Sequence, residues 1–441
     1  MSFLARKNPF VKFSVLSFLM ILFFLGCHQP KDTTPKKVQI KEIDGNYKLY
    51  KDGKPYAIRG VAGDAHFHTL KEMGGNTIRI WDTTRLSVIL DSAKAHHLTV
   101  IVGLPIFNSD YTGFYADSAK VERQYQAFKS IVNNYKNHPS VLMWCIGNEL
   151  DFPFKPSYNS FYKAFNQLTE MIHQDDPDHP ITTTVLNFNK KYIFNLIVRC
   201  NIDLISFNIF GRITYLRDEL KSFSWFWNGP FMVTEWGIDG PWEGTAQTAW
   251  GAYIEDTSTK KAEQYQDRFI KYMPREDTRF LGAFAFFWGN KQEGTQSWFS
   301  MFDEHNGKSQ VVDAMKYLWT GKHLESSFPQ VKYMLLNERG ARDNILLSAG
   351  QTFSAKVLLL NQHKIKYVKW EVYPEDWYKK NNLHNDKKLQ PLMQQIKTDQ
   401  FLEHHFVAPA VEGPYRVFAT IYDDQGNFST CNTPFYVVTD K

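Results

Sequence analysis

The sequence is poor in cysteine and has no residue spacing typical of a metal or redox site. Only four cysteines occur among its 441 residues, and no Cys-x-x-Cys pair is present. If Cys27 carries a lipid, the other three allow one disulfide at most, and we interpret them as small buried side chains. His66 and His68 have no third ligand at a suitable spacing. We therefore predict no metal and no cofactor.

Features of nucleic-acid and phosphate binding are also missing. The formal net charge is +5 at pH 7, and no basic run is interleaved with aromatic side chains. We therefore predict no nucleic-acid partner. The segment from Gly60 to Asp64, after the first predicted strand, is not the glycine-rich loop that binds phosphates.

The N-terminal hydrophobic run, Phe13–Leu25, is too short to span a bilayer. Three basic residues precede it, and a small residue and Cys27 follow it, so residues 1–26 resemble a bacterial lipoprotein signal peptide. Phe24 stands where leucine is usual in such a signal. Residues 27–37, which are rich in Pro, Thr and Lys, predict a flexible tether.

A lipid on Cys27 would determine where the protein works. Two or more acyl chains hold a protein stably on a membrane, whereas a single chain does not. We therefore predict a membrane partner and a location on the bacterial outer membrane, at its periplasmic face or at the cell surface. The alternative is ordinary signal-peptide cleavage nearby, which would leave Cys27 as a free thiol.

After the tether, short apolar segments alternate with helical ones. Residues 38–56 predict a β-hairpin, because Asp52-Gly53 separates two alternating runs. Eight strands are then predicted to begin near Ala57, Asn76, Leu98, Ser140, Ile181, Asp203, Phe231 and Leu281. Helices between them are predicted at Leu86–His96, Ala119–Tyr135, Asn159–Gln174 and Lys260–Met273. This rhythm predicts an α/β fold, a (β/α)8 TIM barrel over residues 57–321, and a doubly wound sheet is the rival.

Residues 328–441 have no convincing helical period. Strands separated by Asn, Gly and Asp turns are predicted at Val331–Leu336, Ile345–Leu347, Phe353–Leu360, Val368–Val372, Tyr415–Tyr422 and Thr433–Val438. Short strands of this kind predict a small C-terminal β-sandwich.

Two of the apolar strands end in a glutamate. The segment Val141–Leu150 ends in Asn148-Glu149-Leu150, and Phe231-Met-Val-Thr leads into Glu235. In a barrel the C-terminal ends of the strands form the active-site face, so the two carboxylates would meet across one pocket. Paired carboxylates perform glycoside hydrolysis, in which one protonates the leaving oxygen and the other attacks or activates water.

These segments resemble clan A glycoside hydrolases, most of all the barrel domain of family 2. Related enzymes include endo-β-1,3-glucanases with an immunoglobulin-like C-terminal domain, and the predicted sandwich resembles that domain. The resemblance covers about Ile58 to Gly321. Its ordered elements are Ile58-Arg59-Gly60-Val61, Asn76-Thr-Ile-Arg79, Trp144–Glu149, Thr234-Glu235-Trp236-Gly237 and Phe286-Phe287-Trp288.

The resemblance implies a role for each matching residue. Glu149 would be the acid/base and Glu235 the nucleophile of a retaining mechanism. Asn148 would bind the sugar 2-hydroxyl. Arg79, on the same strand face as Trp81, would keep Glu235 in its charged form.

Two further positions follow from the same resemblance. Trp288 would form the floor of the −1 sugar subsite. Relatives usually place a tyrosine after the sixth strand to hydrogen-bond the nucleophile, but here Asn208 and Phe210 stand in that region. Either another side chain supplies this contact or the contact is missing.

Several other side chains are candidates for the mouth of the pocket. Asp64 and His66 follow the first strand and either line the mouth or are plain loop residues. Trp236, Trp242 and Trp298, together with the aromatic residues of the loop Pro105–Asp117, are candidate sugar platforms.

We therefore predict a retaining β-glycoside hydrolase that acts on a β-linked polysaccharide or oligosaccharide, with β-glucan as the best substrate. Aromatic residues make up 16% of the chain, which suits sugar stacking but also a large aromatic core. A transglycosylase using the same site is one alternative. A non-catalytic, surface-anchored glycan-binding lipoprotein is the other.

Overall fold

A computed structural model describes residues 36–324, 328–375, 389–398 and 402–439. The predicted signal peptide, most of the predicted tether and the predicted lipidation site Cys27 lie outside these residues. Across the described ranges, no helix combines the length and the apolar character needed to cross a membrane.

The described elements follow one another in a regular pattern. In chain order the strands are β1 (Val38–Ile43), β2 (Asn46–Lys51), β3 (Lys54–Pro55), β4 (Ile58–Ala62), β5 (Thr77–Arg79), β6 (Thr99–Leu104), β7 (Val141–Ile146), β8 (Ile181–Leu186), β9 (Leu204–Asn208), β10 (Phe231–Trp236), β11 (Phe280–Phe286), β12 (Lys308–Ser309), β13 (Val331–Leu336), β14 (Leu346–Ser348), β15 (Thr352–Leu359), β16 (Ile365–Pro374), β17 (Met393–Lys397), β18 (Glu403–Val407), β19 (Gly413–Asp423) and β20 (Asn427–Val438). The helices are α1 (Phe67–Glu72), α2 (Leu86–Ala95), α3 (Thr112–Ala116), α4 (Ser118–Tyr135), α5 (Asn159–Asp175), α6 (Lys190–Arg199), α7 (Ile213–Phe223), α8 (Ser258–Lys271) and α9 (Gln310–Thr320).

Strands β4 to β11 run parallel and form a closed barrel, in which β4 pairs with β11. The predicted TIM barrel is therefore confirmed, and each barrel strand begins within one residue of its predicted start. Strands such as β6 and β7 are buried along their whole length, as expected where helices cover the outside of a barrel. Side-chain caps set several helix starts: Asp117, for example, accepts from two backbone N–H groups at the start of α4.

The N-terminal sheet β1-β2-β3 lies at one end of the barrel. The predicted turn at Asp52-Gly53 joins β2 to β3, and a second Asp-Gly turn joins β1 to β2. The Tyr47 N–H donates to the carbonyl of Thr278, just before β11, and the Val38 N–H donates to that of Asp178, before β8. The sheet therefore covers the N-terminal ends of the strands, opposite the end at which Glu149 and Glu235 are found.

The C-terminal strands form two sheets around one apolar core. One sheet has the order β12-β20-β19-β16-β17 with β14 beside β20, and the other has the order β13-β15-β18. Trp370, Phe406 and Phe435 belong to this core, which is separate from that of the barrel. Strands β17 and β18 were not predicted, because their sequences have little apolar alternation.

A buried ion pair lies between α8 and the C-terminal sheet. Lys261 of α8 donates to Glu255 at 2.5 Å, and both side chains are at most 5% exposed. Asn432 of β20 donates to the other carboxylate oxygen at 2.7 Å. Burial raises the pKa of Glu255, but the Lys261 charge and the hydrogen bonds outweigh burial and lower the pKa below its ordinary value. These contacts fasten the sheet to the barrel.

Replacing Lys261 by methionine should lower the free energy of unfolding by about 3–5 kcal/mol, because Glu255 would stay buried without its cation. Lys260→Met, the neighbouring control, removes an exposed pair with Glu263 and should cost less than about 1 kcal/mol. Urea titrations followed by tryptophan fluorescence measure both values. Equal losses in the two variants would contradict the assigned role of Lys261.

Candidate active site

The backbone beyond β7 turns Asn148 and Glu149 toward the barrel mouth. Gly147 and Glu149 both have left-handed backbone conformations, with φ of 70° and 53°. At Gly147 any larger residue would be strained. The N–H of Glu149 donates to the Thr184 hydroxyl of β8 at 2.8 Å, which holds the turn in place.

Strand β10 carries Glu235 on its inner face. The Glu235 side chain is 7% exposed, whereas the neighbouring Trp236 is fully buried on the other side of the strand. This alternation places one carboxylate in the barrel interior and one indole ring among the surrounding helices.

Asn208, at the end of β9, contacts both carboxylates through a single nitrogen. Its Nδ2 donates to Glu149 Oε1 at 2.9 Å and to Glu235 Oε1 at 2.8 Å. Two oxygens held at these distances by one nitrogen cannot be more than about 5.7 Å apart, an upper limit that is compatible with the separation of roughly 5–5.5 Å in retaining glycosidases and too short for an inverting pair. The Thr234 hydroxyl donates to Asn208 Oδ1 at 2.9 Å, which orients the amide so that its nitrogen faces the carboxylates.

Three donors converge on one oxygen of Glu235. Besides Asn208, the guanidinium of Arg79 and the indole N–H of Trp81, the latter at 2.8 Å, donate to Glu235 Oε1. No described residue donates to Oε2. The charged carboxylate is therefore held rigidly through one oxygen, and the other oxygen is available to react.

Asn208 and Trp81 supply the contact for which relatives use a tyrosine. The sequence alternation predicts Trp81 on the same strand face as Arg79 but indicates no role for it. The sequence feature that could have revealed this contact is the period-two alternation, which brings the side chains of Arg79 and Trp81 to one side of the chain at the end of β5.

The side chain of Asn148 is held in place by the hydrogen bonds that its oxygen accepts. The oxygen accepts from Arg79 Nη2 at 2.5 Å, from Asn208 at 3.1 Å and from the Thr184 hydroxyl at 3.2 Å. The amide NH2 group of this exposed side chain is therefore left to donate to a ligand.

Glu149 has the electrostatic environment of a proton donor. Burial raises its pKa to about 7, and the negative charge of Glu235 adds to the rise. The hydrogen bond from Asn208 and the charge of Arg79 act in the opposite direction. A carboxyl group with such a pKa holds its proton near neutral pH and can both give and take one.

The two glutamates open into a cavity of about 860 Å³, which we call the catalytic cavity. This volume is within the usual range for ligand sites of roughly 300–1,000 Å³. The aromatic side chains in its walls are Trp81, Phe210, Trp242, Phe286 and Phe287. Trp242 is 43% exposed, so a sugar ring can stack on it. Asp64 also lines the cavity, near Arg85 at 3.6 Å.

Four predicted sugar contacts need correction. Trp236 packs against Tyr265 and Phe269 of α8, because it points out of the barrel. Trp288 is fully buried against Phe302 and Trp319, and Phe286 and Phe287 line the cavity instead.

His66 stacks on Phe302 with 3.7 Å between the ring centroids and is not part of the cavity wall. The other tryptophan candidate, Trp298, is 3% exposed and donates to the Asp239 carbonyl, so it is a packing residue. Within the described ranges, no group of three or more His, Cys, Asp or Glu side chains could hold a metal ion.

Comparison with known proteins places these features in a family. Residues 76–307 match the TIM barrel domain of glycosyl hydrolases family 2, a match over more than half of the chain. A β-glucuronidase from Paenibacillus borealis is 23% identical over 227 residues, which cover 46% of this chain and 35% of that protein.

Two solved β-glucuronidases are similar in fold. The Bacteroides uniformis β-glucuronidase 2 bound to cyclophellitol-6-carboxylate aziridine has a TM-score of 0.50 and 12% identity, covering 91% of this chain and 48% of that one. The Faecalibacterium prausnitzii enzyme has a TM-score of 0.50 and 18% identity, covering 64% and 52%. The chain thus spans about half the length of these structures, or less in the case of the Paenibacillus protein. Because the family match covers more than half of the chain and includes both glutamates, the chain belongs to glycosyl hydrolase family 2.

Proposed function

We propose that the protein is a glycosidase that hydrolyses β-linked glycosides with retention of configuration. The observation that carries this proposal is the contact of one Asn208 nitrogen with both Glu149 and Glu235. Inverting enzymes need a gap of roughly 6.5–9.5 Å between the carboxyl groups to admit a water molecule, whereas a retaining pair is closer. The short gap favours direct attack by Glu235.

In the first step, Oε2 of Glu235 attacks the anomeric carbon. The bond from that carbon to the leaving oxygen breaks, and the leaving oxygen takes the proton of Glu149. The product is a covalent glycosyl-enzyme ester. Arg79 and Trp81 fix the other oxygen of Glu235, so the nucleophile keeps its orientation during the reaction.

In the second step, Glu149 is a carboxylate and takes a proton from water. The water oxygen attacks the anomeric carbon, Glu235 leaves, and Glu149 is again protonated. A sugar hydroxyl in place of water would give transglycosylation by the same path.

Neutral sugars suit the catalytic cavity best, and β-glucan is the proposed substrate. Among the described residues of its wall, Lys291 is the only basic one, and it pairs with Glu293 at 2.8 Å. Asp64 and Asp82 add negative charge. A β-glucuronide is the second candidate, because Lys291 could turn to a sugar carboxylate and the similar proteins are called β-glucuronidases.

Two features outside the barrel complete the proposal. A lipid on Cys27 would anchor the protein in the bacterial outer membrane, a proposal supported by the sequence of residues 1–27. The C-terminal region would be an immunoglobulin-like sandwich that acts as a spacer or docking domain. The common core of its two sheets supports this assignment.

Glu149→Gln and Glu235→Gln should each lower the release of reducing ends by at least about 100-fold, because each removes one partner of the double displacement. The chain starting after Lys37 is incubated with β-glucans, mannan, xylan, galactan and an aryl β-glucuronide. Longer products with an added acceptor sugar would indicate transfer.

The matched control is Glu338→Gln, an exposed glutamate of the C-terminal region, which should keep full activity. Activity that survives both active-site changes would contradict the proposal. No turnover by folded wild-type protein on any substrate would favour binding without chemistry.

The pH profile of kcat/KM should fall as pH rises through about 7. Glu149 must be protonated to donate to the leaving oxygen, and its raised pKa means that this form predominates below about 7. Glu149→Ala assayed with a dinitrophenyl glycoside, whose leaving group needs no proton, should lack this alkaline limb. A limb that persists unchanged in Glu149→Ala would assign it to another group.

Trp81→Phe should lower kcat/KM by roughly ten- to a hundredfold, because a donor to a charged group contributes about 1.5–3 kcal/mol. The phenyl ring would still pack near Phe287, so the fold should be unaffected. Trp225→Phe, at a site 80% exposed, is the control and should change nothing. Wild-type kinetics in Trp81→Phe would show that Arg79 and Asn208 position Glu235 without it.

A further inference from the structure

A second cavity, of about 730 Å³, lies beside the loop that follows β6. Its walls include Phe107, Tyr111, Phe114, Lys120, Arg123 and Gln124, and we call it the aromatic–basic cavity. The loop leaves the C-terminal end of a barrel strand, so the cavity lies on the same face as the catalytic one. The roles proposed above use none of these side chains.

Hydrogen bonds hold this loop in a defined shape. The hydroxyl of Tyr115 donates to the Phe107 carbonyl, and the Phe107 N–H donates to Gln124 at 3.1 Å. The Asp151 N–H, two residues beyond Glu149, donates to the Ser109 hydroxyl at 2.9 Å. The cavity is therefore preformed, and its loop is bonded to the segment that carries the acid/base.

Two aromatic rings in the cavity wall are more than half exposed. Phe107 is 53% exposed and Tyr111 is 64% exposed. Their planes cross at 88°, and Phe114 stacks on Phe107 at 4.1 Å between centroids. One ring face supported from behind and a second ring at a right angle form a corner that suits the apolar face of a pyranose.

The charged side chains in the described wall of this cavity, Lys120 and Arg123, are both basic. Arg123 is exposed and makes no ion pair or hydrogen bond with any described residue, and Lys120 is only 3.4 Å from Asp117 in a half-exposed pair. No described residue of the wall is acidic. A guanidinium beside an aromatic corner can form two parallel hydrogen bonds to a carboxylate or sulfate.

We propose that the aromatic–basic cavity binds an anionic sugar unit, a uronate or a sulfated sugar, of the glycan that the enzyme holds. This inference rests on the proposed function only in taking a glycan as the ligand. The rings would stack on the sugar, Arg123 would pair with its acidic group, and Gln124 would bond a hydroxyl.

Binding of three probes to the soluble chain tests the inference by calorimetry. The probes are a mannuronate trisaccharide, a sulfated galactose tetrasaccharide and a neutral β-1,3-glucan hexasaccharide. Arg123→Gln should weaken binding of an anionic probe by about tenfold or more and leave the neutral one unchanged. Tyr111→Ala should weaken the same anionic probe, and higher salt should weaken it in the wild type. The anionic probe whose binding is weakened by these changes shows whether the acidic group of the bound sugar is a carboxylate or a sulfate.

Trp225→Ala, which removes an exposed ring elsewhere, is the matched control and should bind all probes like the wild type. All variants should hydrolyse an aryl glycoside at the wild-type rate, since none touches the catalytic cavity. Wild-type affinity for both anionic probes in Arg123→Gln and Tyr111→Ala would overturn the inference. Equal weakening of the neutral probe would also overturn it. Loss of hydrolysis in the glutamate variants is a separate outcome that tests only the proposed function.

Discussion

A buried arginine at the end of β5 holds the candidate active site together. Arg79 is 1% exposed, and a cation in that position is tolerated only if it is paired and hydrogen-bonded. Its partners are Glu235 of β10 and Asn148 beyond β7, and Asn208 of β9 contacts the same two side chains. Four strand ends thus depend on one charge, and the carboxylate geometry follows from their mutual contacts.

The contacts around Arg79 also give the two glutamates opposite electrostatic environments. The guanidinium of Arg79 and two neutral donors stabilise charge on Glu235. Glu149 receives only the amide of Asn208, while burial and the Glu235 charge favour its protonated form. The proposed nucleophile and the proposed proton donor are therefore distinguished by position rather than by residue type.

The barrel and its two glutamates could be predicted from the sequence, because burial leaves a clear pattern in it. The barrel strands are buried on both faces, so they appear as apolar runs, and a glutamate after such a run stands out. Strands β17 and β18 were missed because half-exposed strands near a sheet edge need little apolar alternation. Trp288 was misplaced because beyond the end of β11 the chain leaves the regular alternation, and periodicity no longer indicates direction. The Trp81 contact needs the distance between strands that are not neighbours, which no local pattern contains.

The aromatic side chains show the same limit of prediction from sequence. Most tryptophans that looked like sugar platforms are packing residues, and exposure separates Trp242 and Tyr111 from them. The charges around these two rings differ: Trp242 lines the catalytic cavity with Asp64 and Asp82, while Tyr111 lies with Lys120 and Arg123. An anionic unit would be repelled by the first cavity and attracted by the second. In a glycan that contains neutral and anionic sugar units, this difference in charge between the two cavities would determine which glycosidic linkage lies at the two glutamates. Charge would thus select the position of the glycan along the cleft, while aromatic stacking would supply affinity.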